Sequence, residues 1–367
     1  MSQEIRDMVK DYIIEQFTLE DPYGKDIIDL ISGSFIRDEA AQKEGASVIF
    51  TEQTFNIMYG SPSTNQELFI RAIHKDTNEM VGFLGSIPRD LKINGETYKF
   101  VVPSWLCVHW EHQRNGLAKA MGKKMLEEAV KMGYDGGFSI HEPEQHGVDT
   151  SYAVARDTGT KIDRIITMKE FIIRIFDLEA TASVVKLRWY EKLFFKTKLK
   201  IKEVNNPRIR LFRPEDSEQI YKLIQDLVNR SQIAIVQSYE EINWMLNHQN
   251  VSCVVHENEK GIVDGFIVAW EFLVAGFGNK VPFGWLDTVH TYNLEQNDVE
   301  DLANFLSKTG VARGWKGMQT PYIPYFEAKP FKKANFFYFP KKMHLDLFNI
   351  KNIQIPEKID SFYFDWR

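Results

Sequence analysis

Ile27, Ile28 and Ile31 recur at helical spacing after the Pro22-Tyr23-Gly24 punctuation, so a helix is expected to begin near Gly24, with Phe35 closing its apolar face. From Leu68 to His74 the pattern changes to alternation. Asp76 to Glu79 then turns, and Met80 to Pro88 resumes as an apolar strand, which predicts a hairpin. A second hairpin is expected where Leu91–Ile93 and Glu96–Val102 flank Asn94-Gly95, because both turn residues tolerate positive φ. Pro103 is expected to interrupt the ladder just before Trp105–Val108, which reads as a buried strand.

After that strand comes Gln113-Arg114-Asn115-Gly116-Leu117-Ala118. A long helix follows, in which Leu117, Met121, Met125, Leu126, Ala129 and Val130 repeat at three and four residues. Lys131 to Gly133 ends it and Tyr134–Ile140 returns as a strand. Strand, loop, helix and strand make the β-α-β unit of a parallel pair, with a site expected at its first turn. The order of elements repeats weakly. Ile70–Ser86, with Val81-Gly82-Phe83, has a counterpart in Val251–Ala269, with Asp264-Gly265-Phe266. Helices precede them at Gly24–Phe35 and Pro214–Val228, and others follow near Gly116 and Val299. The stretch Lys196–Pro207 is basic and punctuated by Asn205-Asn206-Pro207, which places the unit boundary near Asn205 and gives units 1–205 and 206–367.

Length changes this picture little: 367 residues fit two cores or one long sheet built from two units. A net charge of −6 argues against nucleic acid as a main partner. Cys107 and Cys253 lie far apart, with neither disulfide-framework nor zinc spacing, and a reducing compartment fits them. The charged amino terminus and the lack of any run of 18 apolar residues lead us to expect a cytoplasmic protein without a transmembrane segment. A monomer is expected.

A loop between a strand end and a helix start presents backbone N–H groups and a positive dipole end, which together hold a pyrophosphate. Gln113, Arg114, Asn115, Gly116, Leu117 and Ala118 form that loop. Gly116 and Ala118 are small enough for phosphates to approach the backbone, and Arg114 adds a mobile charge. The string fits the GNAT signature of Gln or Arg, two variable residues, Gly, one variable residue, then Gly or Ala. A plain helix N-terminus is the alternative reading of the bare pattern.

Val81-Gly82-Phe83 through Ile87-Pro88, followed by Trp105-Leu106-Cys107-Val108-His109, resembles the protein N-myristoyltransferase family. Further along, Glu15-Gln16-Phe17-Thr18 resembles the family's segment before its first helix, and Thr291-Tyr292-Asn293 its Tyr-Tyr-Asn element. Phe331-Lys332-Lys333-Ala334-Asn335-Phe336 is similar to a motif near its end. The resemblance implies a mixed α/β (α+β) fold of two GNAT-like units joined in one continuous, twisted, saddle-shaped sheet flanked by helices. It also implies transfer of an acyl group from CoA to the amino-terminal glycine of a peptide or protein. By motif, Trp105 and Leu106 match the consecutive backbone donors that polarise the thioester carbonyl. Arg114–Ala118 matches the phosphate loop, and Ser139 the hydroxyl that is Thr in the family, with a locally bonded strand hydroxyl as the alternative. The Arg367 carboxylate matches the family's general base, with a frayed terminus as the alternative. Asp38 and Glu39 fall near the acidic loop that meets the peptide, or are a solvated acidic face.

The departures bear on specificity. Ser104 stands where the family has Asn, Trp105 where it has Phe, His141 where it has Gly, and the chain ends in Arg rather than an apolar residue. Either myristoyl-CoA or acetyl-CoA is therefore an admissible co-substrate. His109, His112, His141 and His146 match no metal pattern, and no metal is expected. Cys107 lacks a partnered base and reads as a buried small hydrophobe, so direct transfer is expected. The rival readings are a GNAT acetyltransferase acting on a small amine or a lysine, and a non-catalytic acyl-CoA-binding module.

Overall fold

The computed structural model describes residues 9–20, 24–64, 68–143 and 146–367. Along the chain run β1 (Tyr12–Phe17), α1 (Lys25–Ile36), α2 (Glu39–Glu44), β2 (Ser47–Ile49), α3 (Glu52–Tyr59), β3 (Phe69–His74), β4 (Met80–Ile93) and β5 (Glu96–Val108). Next come α4 (Leu117–Lys131), β6 (Gly136–His141), α5 (His146–Thr158), β7 (Lys161–Ile175), α6 (Leu178–Ala182) and α7 (Trp189–Lys196). They are followed by β8 (Ile209–Leu211), α8 (Ser217–Arg230), β9 (Ile233–Val236), α9 (Tyr239–Leu246), β10 (Val251–Glu257), β11 (Val263–Gly276) and β12 (Asn279–His290). The chain finishes with α10 (Gln296–Ala312), β13 (Gly317–Pro321), α11 (Lys329–Lys333), β14 (Phe337–Asn349) and β15 (Phe362–Tyr363). The class is mixed α/β, as the resemblance implied. Among the described residues no helix is long and apolar enough to cross a membrane.

The chain divides into two compact units, each discontinuous in sequence. The first comprises residues 1–38, 63–168 and 342–359, the second 39–62, 169–341 and 360–367. The chain passes from one unit to the other five times, two of them inside strands β7 and β14, and Asn205 lies within the second unit.

In the first unit β1, β3, β4 and β5 are antiparallel neighbours, β5 and β6 are parallel, and β14 runs antiparallel to β6. Asn94 and Gly95, at φ 51° and 92°, close β4 and β5 into one long hairpin, which is the turn those residues favour. Pro103 does not interrupt it. It sits opposite Ser86 within the ladder, and the break falls farther on. Helix α4 buries Leu117, Ala120, Met121, Met125 and Ala129 on Ile70, Ala72, Val81, Leu84 and Val101 of the strands below. Its apolar stripe is narrower than the spacing suggested, since Val130 is 52% exposed. Gly82 lets the helix come close: a Cβ there would stand 2.9 Å from Met121 Cε and 3.1 Å from Ala72 Cβ.

In the second unit β8, β10, β11 and β12 are antiparallel neighbours, β13 runs parallel to β12, and the end of β7 pairs with β13. Strand β2 adds to β11, and β15 lies parallel to β9. Helix α10 buries Val299, Leu302, Ala303 and Leu306.

Candidate acyl-CoA site

Strand β5 carries an irregularity at its functional end. Phe83 pairs with Cys107 and Gly85 with Ser104, so Leu84 alone faces both Trp105 and Leu106. This two-against-one count is a β-bulge, which re-aims backbone groups out of the ladder. Trp105 takes φ 56°, a left-handed conformation uncommon for a bulky residue and one that persists only where its surroundings enforce it. Its ring meets Phe35 of α1 edge-on, with centroids 5.8 Å apart, and the Ser34 hydroxyl donates to the Val108 carbonyl at 3.3 Å. Helix α1 thus braces the bulge.

Beyond β5 the chain makes one 3₁₀ turn, Trp110–His112, and enters the loop at Gln113. Arg114 and Gly116 both adopt left-handed φ, 65° and 72°, on either side of Asn115. Gly116 is the N-cap of α4, and no side chain caps that end. The first turn holds no acidic residue, so its amides and the positive dipole end suit an anion. The loop is pinned from three sides. Gln113 Nε2 donates to the Val108 carbonyl at 3.3 Å, Asn115 Nδ2 donates to the Tyr12 hydroxyl at 3.0 Å, and that hydroxyl hydrogen-bonds His112 Nδ1 at 3.0 Å. Burial and the neighbouring His74 and His109 lower the His112 pKa, favouring its neutral form. Arg114 itself is exposed. Farther along α4, Lys119 and Lys123 share Asp157 of α5 at 2.8 and 2.6 Å.

Parallel pairing of β5 with β6 covers only Phe100–Gly136 and Val101–Gly137. Both strands run on, β5 to Val108 and β6 to His141, so their unpaired ends part beside the bulge. Ser139 lies on the stretch of β6 that pairs with β14 but no longer with β5. Its hydroxyl is buried and has no hydrogen-bond partner among the described residues, which disfavours the locally bonded alternative. Next to it in register is Asp346 of β14, 1% exposed. Burial alone would raise this carboxyl, but His141, with Nε2 3.3 Å away, and hydrogen bonds from Arg164 and Tyr152 outweigh it and hold the pKa well below the usual carboxylate range. Thr167 and His344 add a further hydrogen bond of 2.9 Å. Sequence reading missed this cluster and the role of Tyr12, because β1 and β14 reach the crossover only through long-range pairing.

The other expected site residues fall elsewhere. Asp38 is exposed just past the end of α1, and Glu39 opens α2. Arg367 belongs to the second unit, at the end of a terminus that is packed rather than frayed. Phe362, Tyr363, Phe364 and Asp365 are all buried, and the Arg367 side chain contacts Asp287 at 3.2 Å and Asp365 at 2.9 Å. The Trp366 amide donates to Asp287 Oδ1 at 2.9 Å. Cys107 is buried, and desolvation pushes its thiol up to about 12, so the reactive thiolate is suppressed at neutral pH. His109 and His112 pack with Trp110 and Tyr12, and the His146 side chain lies outside the described residues. Among the described residues no group of three or more His, Cys, Asp or Glu is placed to hold a metal.

The crossover thus combines a bulged strand, an uncapped helix start and a parallel pair that parts beside them. Residues 25–140, the stretch that holds this crossover, match the family model described as an acetyltransferase (GNAT) domain. Its fold is that of N-myristoyltransferase structures. One from Saccharomyces cerevisiae with bound myristoyl-CoA is 13% identical, with a TM-score of 0.75 over 92% of this chain and 83% of that one. A second, with bound myristoyl-CoA and inhibitors, is 15% identical, with a TM-score of 0.73 over 96% and 86%. A conserved protein from Enterococcus faecalis V583, described as a probable N-acyltransferase, is 11% identical, with a TM-score of 0.50 over 91% and 72%. No curated protein matches the chain by sequence.

Proposed function

We propose that this chain is an acyl-CoA-dependent N-acyltransferase whose acceptor is the amino-terminal glycine of a peptide or protein and whose donor is a long-chain acyl-CoA, in a cytoplasmic setting. The observation that carries the reading is the bulge at Trp105–Leu106, set on the strand that feeds the uncapped N-terminus of α4. Acyl-CoA supplies an activated thioester. The loop from Gln113 to Ala118 holds its pyrophosphate, with Gly116 giving room and Arg114 the counter-charge. The Trp105 and Leu106 backbone amides stabilise the charge that develops on the carbonyl oxygen. One such preorganised donor is worth about 3 kcal/mol. The Ser139 hydroxyl, without a partner among the described residues, offers a hydrogen bond beside the parting strands. The acceptor amine attacks the thioester carbonyl directly, since the Cys107 thiol is held neutral, and the C–S bond then breaks so that CoA leaves as its thiol with the proton the nitrogen loses.

Within the same reading the Arg367 carboxylate takes the proton from the glycine ammonium, and Asp38 faces the acceptor peptide. The packed terminal segment supports a fixed position for that carboxylate. The test is turnover of a CoA thioester series, acetyl to palmitoyl, on a Gly-initiated peptide, comparing the intact chain with one extended by a single residue after Arg367. We expect preference for long chains and loss of turnover on extension, with CoA binding retained. Acetyl preference on small amines or lysine, or CoA binding without turnover in the intact chain, would overturn this reading in favour of a rival.

A further inference from the structure

Just ahead of Lys196–Pro207, the basic stretch that sequence reading treated as a boundary, lies an aromatic helix. From Lys186 to Lys202 the chain carries seven cations and one carboxylate (Glu191) in a protein of net charge −6; Lys186 and Lys202 pair with Glu44 and Glu300, which leaves Arg188, Lys192, Lys196, Lys198 and Lys200 around the helix. Helix α7, Trp189–Lys196, turns only one residue fully inward. Phe195 is 5% exposed and stacks on Phe337 with centroids 4.7 Å apart. Outward stand Trp189 at 77% exposure, Leu193 at 61%, Phe194 at 46% and Tyr190 at 45%. Lys192, Lys196 and Lys200 stand exposed among them and form no ion pair with described residues.

The segment is held rigidly. Buried Arg174 reaches the carbonyls of Leu199 at 3.2 Å and Lys200 at 3.0 Å, and contacts that of Lys198. Arg188 donates to the Tyr190 hydroxyl at 2.6 Å, and its backbone amide is closed by Glu191 at 2.7 Å. An ordered helix that exposes Trp, Tyr, Phe and Leu loses apolar burial that a water-facing helix would not give up.

We infer that α7 and its flanking cations form a docking surface for an anionic lipid membrane. Tyr and Trp favour the headgroup level, Leu193 and Phe194 enter the acyl boundary, and the surrounding cations meet the negative surface. Charge complementarity selects this occupant: a second copy would bring another cationic face against the first, and a nucleic acid would leave Leu193 and Phe194 without an apolar partner. The inference is independent of the chemistry proposed for the acyl-CoA site.

The test is co-sedimentation of the full chain with phosphatidylcholine vesicles, with and without phosphatidylserine, combined with Trp fluorescence. We expect binding to the phosphatidylserine vesicles that weakens as salt is raised, with a blue shift of the Trp emission. The triple variant Lys192→Gln, Lys196→Gln, Lys200→Gln should bind about 100-fold more weakly, at roughly fivefold per cation removed near the surface. A Trp189→Ala, Leu193→Ser, Phe194→Ser variant should lose both binding and blue shift. These positions are exposed, so both variants should keep the parent circular dichroism. Equal binding to neutral vesicles, no vesicle binding by the intact chain, or an oligomer in solution that both variants dissolve would each overturn the inference, the last in favour of a second copy.

Discussion

The two β-α-β crossovers, β5-α4-β6 in the first unit and β12-α10-β13 in the second, share a plan and differ wherever a ligand would matter. Each pairs its parallel strands at only two positions, Phe100–Gly136 and Val101–Gly137 in one, Gly284–Met318 and Trp285–Gln319 in the other. Each carries an irregularity on the strand leading to the helix, at Trp105–Leu106 and at Asp287. In the first, the loop is small and basic and the first turn of the helix has no acid. In the second, Glu295 precedes α10 and Asp298 lies in its first turn, so the field there repels an anion. The bulged Asp287 is engaged by the chain itself, receiving the Trp366 amide, the Trp270 indole at 3.3 Å and the Arg367 guanidinium. Beyond the pairing, Leu286, Val289, Thr320 and Pro321 line one space together with Trp366. One scaffold thus serves twice: a helix start left open invites a phosphate, and one ringed by carboxylates with its bulge plugged becomes core.

The comparison can be broken most forcefully on the plugged side. Asp287→Ala removes one of the carboxylates that hold the buried Arg367 guanidinium and leaves Asp365 in contact with it. Urea denaturation should show a loss of about 3–5 kcal/mol, while CoA affinity of the folded protein stays as in the parent. On the open side, Ala118→Glu places a carboxylate where α4 now has none. CoA should bind about 100-fold more weakly, yet the helix should melt no earlier, because an acid in the first turn is favourable to the helix dipole by about 0.5 kcal/mol. The cluster beside Ser139 sharpens the comparison further through pH. The Asp346 carboxyl is held below its unfolded pKa, so its contribution is present above about pH 4 and is lost as pH falls through the lower folded value. Asp346→Asn should therefore cost about 2 kcal/mol near pH 7, and the gap from the parent should narrow steadily in denaturation curves taken below pH 4.

Much of the open crossover is legible in the sequence because its signals are local. Asn94-Gly95 dictates its turn, the spacing of Leu117, Met121 and Met125 dictates a helix, and Gly116 marks where it starts. The bulge is not legible in that way. Pro103 draws attention as the ladder breaker, yet it takes a position opposite Ser86 in the ladder, and the two-against-one count at Trp105–Leu106 depends on pairing with β4. Resemblance, not periodicity, pointed to those two residues. Asp346 stood no chance of discovery, because β14 returns to β6 after nearly two hundred residues and its register decides which side chain meets Ser139. The aromatic residues of α7 went unread because they lie just ahead of Lys196–Pro207, where basic charge and Asn205-Asn206-Pro207 drew the reading to a unit boundary.

The central claim, that the first crossover alone holds the CoA, is tested most directly by calorimetric titration of CoA into the intact chain and into Ala118→Glu. The account predicts one CoA per chain, with affinity reduced about 100-fold in the variant. Two CoA molecules per chain, or an unchanged affinity in Ala118→Glu, would contradict it.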